Sequence, residues 1–346
     1  MGKIKLGIVG TGARATGHGG VMFKDGLSDQ LTIAALCDIN PDRLASGRKY
    51  YEDRGHKDFK CYSDFREMYK REKLDGVFVA GPNYLHCDMT VAALEAGLNV
   101  LCEKPMEVTL EKCDKMIAAA KKTGKVLAMG MQMHYRAHYH KVREIIAEGQ
   151  IGDVAQVWCT EYRGPYAQTK DWVWEQAKSG GAIVEKNCHH YDILDLWVQS
   201  KPTNVYASGN IKKHFHMSGK KSEIIDNACI ISDYENGARA FVSINFLAEG
   251  DQHYREFGVI GTKGRILFSG ADGETIHVQF NEKHLVHYEM SFVPNLRGGL
   301  MQDFLDCIRS GNRPLVTPEM GRQSMLVPMA AEKSIIEKRI VNVGEL

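Results

Sequence analysis

Hydrophobic residues in the first 131 positions cluster in short runs of strand length, and these runs lie at 5–10, 31–38, 74–81, 99–105 and 125–131. Helix-like segments separate the later runs, at 86–97 and 109–124. The second segment begins with threonine, a common N-cap, and both end with glycine, a common residue at helix C-termini. Strands that alternate with helices predict a doubly wound parallel sheet covered by helices on both faces.

A glycine-rich turn follows the first run, with Gly10, Gly12 and then Ala15 at the third position of the pattern. Gly10 permits a tight turn, and Gly12 lets the backbone approach a pyrophosphate at the start of the next helix. Asp38 ends the second run, where a carboxylate can accept hydrogen bonds from the ribose hydroxyls of NAD. Because that carboxylate repels a 2′-phosphate, the pattern favours NAD over NADP, although Arg14 and Arg43 are close enough in sequence to reach a phosphate.

From about residue 154 the pattern becomes that of β-strands, and apolar residues alternate with polar ones over 240–246 and 276–280. Alternation of this kind predicts a largely antiparallel sheet whose two faces have different environments. Helical periodicity interrupts the strands at three places, 180–199, 300–311 and 318–339.

A chain of 346 residues is longer than a single hydrophobic core usually supports. We therefore expect an α/β protein with an N-terminal Rossmann domain at 1–130 and a C-terminal α+β domain at 131–346. The second domain is expected to contain a large, mainly antiparallel sheet, with one face packed on helices and the other meeting a second subunit. The helix at 318–339 is expected to pack back on the first domain.

Composition points to a small-molecule partner, because 44 lysines and arginines nearly balance 43 aspartates and glutamates. Such a balance gives no basis for predicting a nucleic-acid or anionic-membrane surface. No uncharged apolar stretch approaches the 18 or so residues that span a bilayer. The nine cysteines are scattered without a C-x-x-C pair, which argues against disulfides and zinc clusters and favours a reducing, cytoplasmic location.

The run at 99–105 ends with Glu103, Lys104 and Pro105. Ligands of open parallel sheets bind beyond the carboxyl ends of the strands, so Lys104 is predicted to lie at the reactive ring of the cofactor. A lysine there suits proton transfer. Glu103 is expected to hold this lysine by an ion pair, and Pro105 to fix the turn.

The most polar part of the predicted helix at 180–199 is EKNCHHYD, residues 185–192. Glu185 and His189 are four residues apart and share a face, which suits either metal ligation or acid/base chemistry. No second ligand cluster is evident in the sequence, so we predict no metal site. Adjacent helical residues point about 100° apart, so His189 and His190 cannot both face one ligand.

The order of motifs along the whole chain resembles the Gfo/Idh/MocA family, the glucose-fructose oxidoreductase and inositol dehydrogenase group. The resemblance is carried by GIVGTGARA, Asp38, GPNYLHCDMTVAALEAGLNVLCEKPM, REIIAEGQIGDV, the SGG run ending H-x-x-D at 179–192, GVIGTKGRI and DFLDCIRSGNRPLVTPEMGRQSMLV. It implies an NAD(P)-dependent oxidoreductase of sugars, sugar derivatives or cyclitols with a Rossmann domain and an open-sheet domain that often mediates dimers or tetramers.

Residue by residue, Lys104 matches the family's EKP lysine and His189 its histidine, whereas Glu185 stands where aspartate is usual and Asn187 where glycine is usual. We predict Lys104, His189 and Glu185 as catalytic. His189 or Lys104 would take the proton of a substrate hydroxyl while the adjacent carbon gives a hydride to nicotinamide, and the lysine would stabilise the alkoxide.

The predicted cofactor contacts lie in the glycine turn and at the ends of the later strands: Gly10, Gly12, Ala13, Arg14, Asp38, Pro82, Asn83, His86, Glu103 and Lys104. The predicted substrate contacts combine proton-transfer groups with aromatic and basic side chains suited to polyhydroxylated rings: Lys104, Tyr135, Tyr162, Arg163, Trp172, Glu185, His189 and His190.

The leading prediction is an NAD-dependent oxidoreductase acting on a hydroxyl carbon of a sugar, sugar derivative, glycoside or cyclitol, as a homodimer or homotetramer. An alternative is an NAD-dependent glycosidase that oxidises its sugar transiently and eliminates the aglycone without net NADH. That chemistry requires a second base, for which His134, Tyr162, His190 and Tyr191 are candidates. A non-catalytic NAD sensor is a third possibility, but the presence of Lys104 and His189 argues against it.

Overall fold

A computed structural model describes residues 2–16, 27–166, 171–213, 216–217, 220–249, 253–269, 275–280, 284–290 and 293–346. The contacts within the chain divide it into two compact units. The first comprises Met1–Gln132 with Arg297–Arg322, and the second Met133–Leu296 with Gln323–Leu346.

The first unit is built on a parallel sheet. Its strands in the described residues are β1 (Ile4–Val9), β2 (Leu31–Cys37), β3 (Lys60–Tyr62), β4 (Gly76–Val79), β5 (Asn99–Cys102) and β6 (Leu127–Met129). They form a six-stranded sheet in the order β3-β2-β1-β4-β5-β6, and every pairing is parallel. The strand order reverses at β1, as in a doubly wound Rossmann fold, and this confirms the predicted fold class.

Helices connect these strands: α1 (Ala13–Thr16), α2 (Pro41–Glu52), α3 (Phe65–Arg71), α4 (His86–Glu95) and α5 (Leu110–Thr123). Helix α5 begins at Thr109, whose side chain accepts a hydrogen bond from the backbone N–H of Lys112 at 3.3 Å. It ends at Gly124, which adopts the left-handed conformation. The helices predicted at 86–97 and 109–124 are therefore confirmed.

The second unit is built on a large mixed sheet. Its described residues form β7 (Val154–Tyr162), β8 (Pro202–Asn210), β9 (His216–Met217), β10 (Lys220–Lys221), β11 (Asn227–Tyr234), β12 (Arg239–Asn245), β13 (Tyr254–Gly261), β14 (Gly264–Ser269), β15 (Thr275–Phe280), β16 (His284–Glu289) and β17 (Val341–Asn342). Strands β9 and β10 pair with each other, and the other nine form one sheet in the order β16-β15-β14-β13-β7-β12-β11-β8-β17. Only the β7–β12 pair is parallel among these described strands, which confirms a mainly antiparallel sheet.

Three helices follow one another in the second unit: α6 (Ala137–Ala147), α7 (Gln176–Ser179) and α8 (Ala182–Val198). Trp197 near the end of α8 is fully buried, stacks on Phe268 with a ring separation of 5.6 Å, and donates a hydrogen bond to the Tyr139 carbonyl at 2.9 Å. Burial of this indole fixes the C-terminal half of α8 against α6 and the sheet. Of the helices that the structure describes, none has the length and apolar character needed to cross a membrane.

The chain returns to the first unit at 297–322, which the sequence prediction had placed in the second domain. This segment contains α9 (Leu300–Ser310) and α10 (Pro318–Gln323). Phe304 and Ile308 of α9 pack closely on Gly76 of β4. A Cβ added at Gly76 would lie 3.3 Å from Phe304 and 3.2 Å from Ile308. The functions predicted for residues 1–130 and 131–346 stay predictions.

The single helix predicted at 318–339 is wrong, because two helices, α10 and α11 (Leu326–Glu337), occupy that range. The break falls at Ser324 and Met325. Pro328 explains it: a proline ring clashes with the carbonyl four residues earlier, here that of Ser324, so one helix cannot run through this point. Helix α11 packs on β8 and α8 within the second unit.

Replacing Phe304 with alanine tests whether α9 belongs to the core of the first unit. Phe304 is fully buried, so Phe304→Ala is expected to lower a melting temperature by on the order of 10 °C in thermal unfolding followed by calorimetry. Ile336→Ala is the control, because Ile336 is 72% exposed and its loss should change the melting temperature little. Equal effects of the two substitutions would contradict this packing.

Candidate functional site

The glycine turn after β1 has the shape that close approach of a ligand requires. Gly10 has φ +87°, and a Cβ there would lie 2.7 Å from the backbone of Ala80. Among the residues that the structure describes, none lies within 4 Å of a Cβ added at Gly12. Gly10 is thus required by the fold itself, whereas the open side of Gly12 leaves room beside the backbone, as binding of a pyrophosphate demands.

Asp38 lies directly after β2 and is oriented by backbone groups. Its Oδ2 accepts hydrogen bonds from the Thr11 N–H at 2.8 Å and the Thr11 hydroxyl at 3.2 Å, and its Oδ1 accepts one from the Asn40 N–H at 2.9 Å. The carboxylate is therefore fixed against the glycine turn by donors of that turn and of the start of α2. Together with the open side of Gly12, this arrangement fits the dinucleotide that the sequence predicts.

Lys104 and Glu103 follow β5 and are both buried. Glu103 Oε2 forms an ion pair with Arg14 Nη2 at 2.9 Å and accepts a hydrogen bond from the backbone N–H of Lys104 at 3.1 Å. The glutamate thus links the helix of the glycine turn to the segment that carries the lysine. The ion pair with Arg14 was not anticipated from the sequence, while the predicted cofactor contacts of Ala13, Arg14, Glu103 and Lys104 stay predictions.

His86 holds two predicted cofactor segments together. Its Nδ1 lies 2.9 Å from the Pro105 carbonyl oxygen and its Nε2 lies 3.0 Å from that of Gly81. Burial lowers the pKa of His86 although these two carbonyls favour the charged ring, so the imidazole is neutral and donates to only one of them. Pro82 and Asn83, which lie between Gly81 and His86, are positioned by this contact.

Helix α8 carries the predicted substrate-side residues. Glu185 and His189 are one turn apart, and His189 is buried. Tyr166, which was not predicted, donates a hydrogen bond from its hydroxyl to Glu185 Oε2 at 2.7 Å. A sequence signal was available, since Tyr166 lies within the aromatic and basic stretch 161–172 that contains three of the predicted substrate residues; residues 167–170 of that stretch lie outside the described part of the chain.

Glu161 is the second residue that sequence reasoning missed, and it binds the other side of α8. Its carboxylate is fully buried and lies 2.6 Å from His190 Nε2, 3.1 Å from Lys186 Nζ and 3.0 Å from His253 Nε2. Arg163 Nη1 lies further away, at 3.8 Å. The predicted substrate residues His190 and Arg163 are therefore both found beside this buried carboxylate.

The charge states in this cluster follow from burial and pairing. Burial opposes ionisation of Glu161, but hydrogen bonds from His190 and His253 and the charge of Lys186 outweigh it, so the pKa of Glu161 lies below its usual range. Burial lowers the pKa of His190 to about 4 despite the adjacent carboxylate. Near neutral pH, Glu161 is ionised and a neutral His190 donates its Nε2–H to it.

The first turn of α8 depends on a buried carboxyl group and on a glycine. Glu332 of α11 accepts a hydrogen bond from the Ile183 N–H, and burial raises the pKa of Glu332 to about 8. Gly181 has φ +90°, and a Cβ there would lie 2.2 Å from Glu332 Oε1. The SGG sequence before α8 therefore lets Glu332 approach the start of the helix.

The remaining predicted substrate residues have different exposures. Tyr135 is fully buried, whereas Tyr162 and Trp172 are half-buried. His134, which the sequence indicates as a candidate second base, lies with its Nδ1 3.0 Å from Asp192 Oδ1. Among the side chains that the structure describes, no three or more of the His, Cys, Asp and Glu type are grouped so as to hold a metal ion.

Comparison with known proteins adds evidence independent of these contacts. Residues 4–131 match an oxidoreductase family with an NAD-binding Rossmann fold, and residues 139–267 match the GFO/IDH/MocA C-terminal domain. The chain is 27% identical to myo-inositol 2-dehydrogenase of Thermotoga maritima, with 99% of each chain covered. It is 26% identical to 1,5-anhydro-D-fructose reductase of Ensifer adhaerens, with 80% of this chain and 81% of the relative covered.

A solved structure of levoglucosan dehydrogenase in complex with NADH and levoglucosan has the same fold. It superposes with a TM-score of 0.83 at 21% identity, and 99% of each chain is covered. At that level of identity the similarity is evidence for the fold alone.

Replacing Glu161 with glutamine tests the buried cluster. Glu161→Gln removes the carboxylate that pairs with Lys186, and loss of one partner of a buried ion pair costs about 3–5 kcal/mol, so the melting temperature at pH 7 should fall by on the order of 10 °C. Glu111→Gln is the control, because Glu111 pairs with Lys115 at 3.0 Å but its side chain is 78% exposed. A fall no larger than that of the control would contradict the proposed role of Glu161.

The same cluster predicts how stability changes with pH. His190 has a pKa of about 4 in the folded protein, below the value of about 6.5 in an unfolded chain, so between these values the unfolded state binds more protons. Stability should therefore fall as the pH drops from about 6.5 to about 4, and the lowered pKa of Glu161 adds to this loss at the acid end.

Proposed function

We propose a function from one premise: the chain belongs to the GFO/IDH/MocA family of oxidoreductases, and its first domain has the family's NAD-binding Rossmann fold. The proposed reaction transfers a hydride between nicotinamide and a hydroxyl carbon of a sugar, sugar derivative, glycoside or cyclitol. NAD, rather than NADP, is the proposed cofactor, because Asp38 places a negative charge at the end of β2.

The observation that carries the proposal is the presence of proton-transfer groups at the positions that the family resemblance predicts, with Lys104 and His189 buried and Glu185 half-buried. Lys104 is buried directly after β5, at the strand ends where Rossmann folds bind ligands. Glu185 and His189 lie one turn apart on α8. Proton-transfer groups withdrawn from bulk water suit acid/base catalysis.

Each of these residues has a proposed role. His189 or Lys104 takes the proton of the substrate hydroxyl, and the charge of Lys104 stabilises the alkoxide that develops. NAD, when bound, supplies the hydride acceptor. Glu185 orients the proton-transfer groups, and Asp192, which contacts His134, supports the same helix face.

The substrate class is supported by what the similar proteins act on. The Thermotoga maritima relative is named for myo-inositol, and the Ensifer adhaerens relative for 1,5-anhydro-D-fructose. Both compounds carry several hydroxyl groups. The aromatic and basic residues Tyr135, Tyr162, Arg163 and Trp172 suit such rings by stacking and hydrogen bonding.

The glycosidase alternative needs a second base, and two of its four candidates lie in environments that do not favour that role. His190 is fully buried, donates to Glu161 and has a pKa lowered by burial to about 4. Burial raises the pKa of Tyr191 well above its usual value. Net oxidation is therefore the reaction we propose, and the alternative stays a prediction.

Assembly through the sheet of the second unit is part of the proposal. One face of this sheet carries apolar side chains in register across neighbouring strands, where Ile231 pairs with Tyr206 on one side and Phe241 on the other. Tyr206 is 49% and Ile231 46% exposed. Exposed apolar rows of this kind mark interaction surfaces, and we propose that a homodimer or homotetramer covers this one.

A substrate screen with a lysine variant tests the function. The purified protein is mixed with NAD and sugars, glycosides or inositols, and absorbance of the reduced nicotinamide and product mass are followed together. For the best substrate, Lys104→Ala should lower kcat/KM by roughly 10²- to 10⁴-fold, because general acid–base and charge stabilisation are lost. Lys121→Ala, at an exposed lysine of α5, is the control.

Two outcomes would contradict the proposal. If Lys104→Ala keeps most of the wild-type rate, the assignment of Lys104 fails. If a glycoside releases its aglycone while no net NADH accumulates, the reaction is the glycosidase alternative.

A further inference from the structure

We infer that Tyr166 is a positioning residue for Glu185, and that its hydroxyl fixes the carboxylate of the predicted catalytic face of α8. The inference deepens the proposed function and rests on it, because it assigns to Tyr166 the orientation of a group that we propose to act in the reaction.

The Tyr166 hydroxyl lies near two possible hydrogen-bond acceptors. The Tyr166 hydroxyl lies 2.7 Å from Glu185 Oε2 and 3.4 Å from the Ala182 carbonyl oxygen. A tyrosine hydroxyl has one proton to donate. The carboxylate is the closer acceptor and the charged one, so the proton lies toward Glu185 and the bond is charge-assisted.

The position of the Tyr166 hydroxyl does not depend on Glu185. The Tyr166 side chain is buried, and its ring packs against Phe246 with centroids 4.9 Å apart and against Trp174 at 5.9 Å. The guanidinium of Arg163 lies 5.4 Å from the ring centroid. These contacts hold the ring, so the hydroxyl is a fixed donor to which the flexible glutamate adjusts.

The Tyr166 hydroxyl is protonated at neutral pH. Burial raises the pKa of Tyr166 well above its usual value, and the charge of Glu185 raises it further. The hydroxyl therefore stays protonated throughout the neutral range and acts as a hydrogen-bond donor. This also means that Tyr166 is not a base for an elimination step.

The contact with Tyr166 requires the full length of the Glu185 side chain. Shortening Glu185 to aspartate withdraws the carboxylate by one carbon–carbon bond, about 1.5 Å. Added to the present separation of 2.7 Å, that displacement exceeds hydrogen-bonding distance. The length of the glutamate is thus matched to the place where Tyr166 is held, and the pair is expected to work as a unit.

Kinetics of Tyr166→Phe test the inference with a matched control. Tyr234 of β11 makes the same type of contact with α8, because its hydroxyl donates a hydrogen bond to Asp195 Oδ1 at 2.7 Å. With NAD and the polyol that the wild-type protein oxidises fastest, Tyr166→Phe should lower kcat on the order of 10- to 100-fold while KM changes less than about threefold. Tyr234→Phe should change kcat less than about threefold.

A double-mutant cycle shows whether Tyr166 acts through Glu185. Glu185→Asp is expected to lower kcat, and adding Tyr166→Phe to Glu185→Asp should lower it no more than about twofold further, because the contact is already lost. An equal effect of Tyr166→Phe in both backgrounds would overturn the inference. An unchanged kcat in Tyr166→Phe would overturn it as well.

A measurement without substrate separates this inference from the proposed function. In protein labelled with ¹³C at tyrosine Cζ, the Tyr166 resonance is the one that Tyr166→Phe removes, and the Tyr234 resonance is assigned in the same way. Glu185→Asp should shift the Tyr166 resonance and leave that of Tyr234 in place. If Tyr166 does not shift, the contact is refuted even when the enzyme is active; if it shifts but no polyol reacts, the contact stands and the proposed function fails.

Discussion

Buried charged side chains must be paired. In the second unit, this requirement determines the surroundings of helix α8. Helix α8 is apolar over most of its surface, and partners from other elements of the unit meet its polar residues: Tyr166 for Glu185, Glu161 for Lys186 and His190, His134 for Asp192, and Tyr234 for Asp195. An isolated ionised group in such a setting costs several kcal/mol, so these pairs fix the rotation of the helix about its axis. That rotation decides the direction in which the face that carries Glu185 and His189 points.

The strands and helices of the fold follow from the sequence where the pattern is strong, and the exceptions have physical causes. Strand β3 contains three residues, too few to show alternation. Only Gly47 and Tyr51 are buried in helix α2, so it lacks an apolar stripe, although Asn40 and Pro41 mark its start. The break before α11 is encoded by Pro328, whose effect on Ser324 four residues earlier is hidden when only hydrophobic periodicity is considered.

The candidate site also contains residues that the sequence indicates and contacts that it does not. Lys104, Glu185 and His189 are singled out by their positions together with the family resemblance, and their catalytic roles stay predictions. The angle between adjacent helical residues indicates that His189 and His190 cannot both face one ligand. The stretch 161–172 contains Glu161 and Tyr166, but the contacts that these residues and Glu332 make with α8 could not be predicted, because no periodic pattern links them to that helix. Their positions depend on which strand of the sheet lies beneath the helix, and that is a property of the tertiary fold.

In the proposed reaction, the carbon bearing the reacting hydroxyl gives its hydrogen to the cofactor, and isotope transfer tests this step. A polyol substrate deuterated at that carbon is incubated with the wild-type protein and NAD, and the reduced cofactor is analysed by mass spectrometry. One deuterium per molecule of NADH formed, with kcat slowed by the substitution or unchanged where product release limits the rate, is the predicted result. Product formation that leaves no deuterium in the nicotinamide would contradict the account.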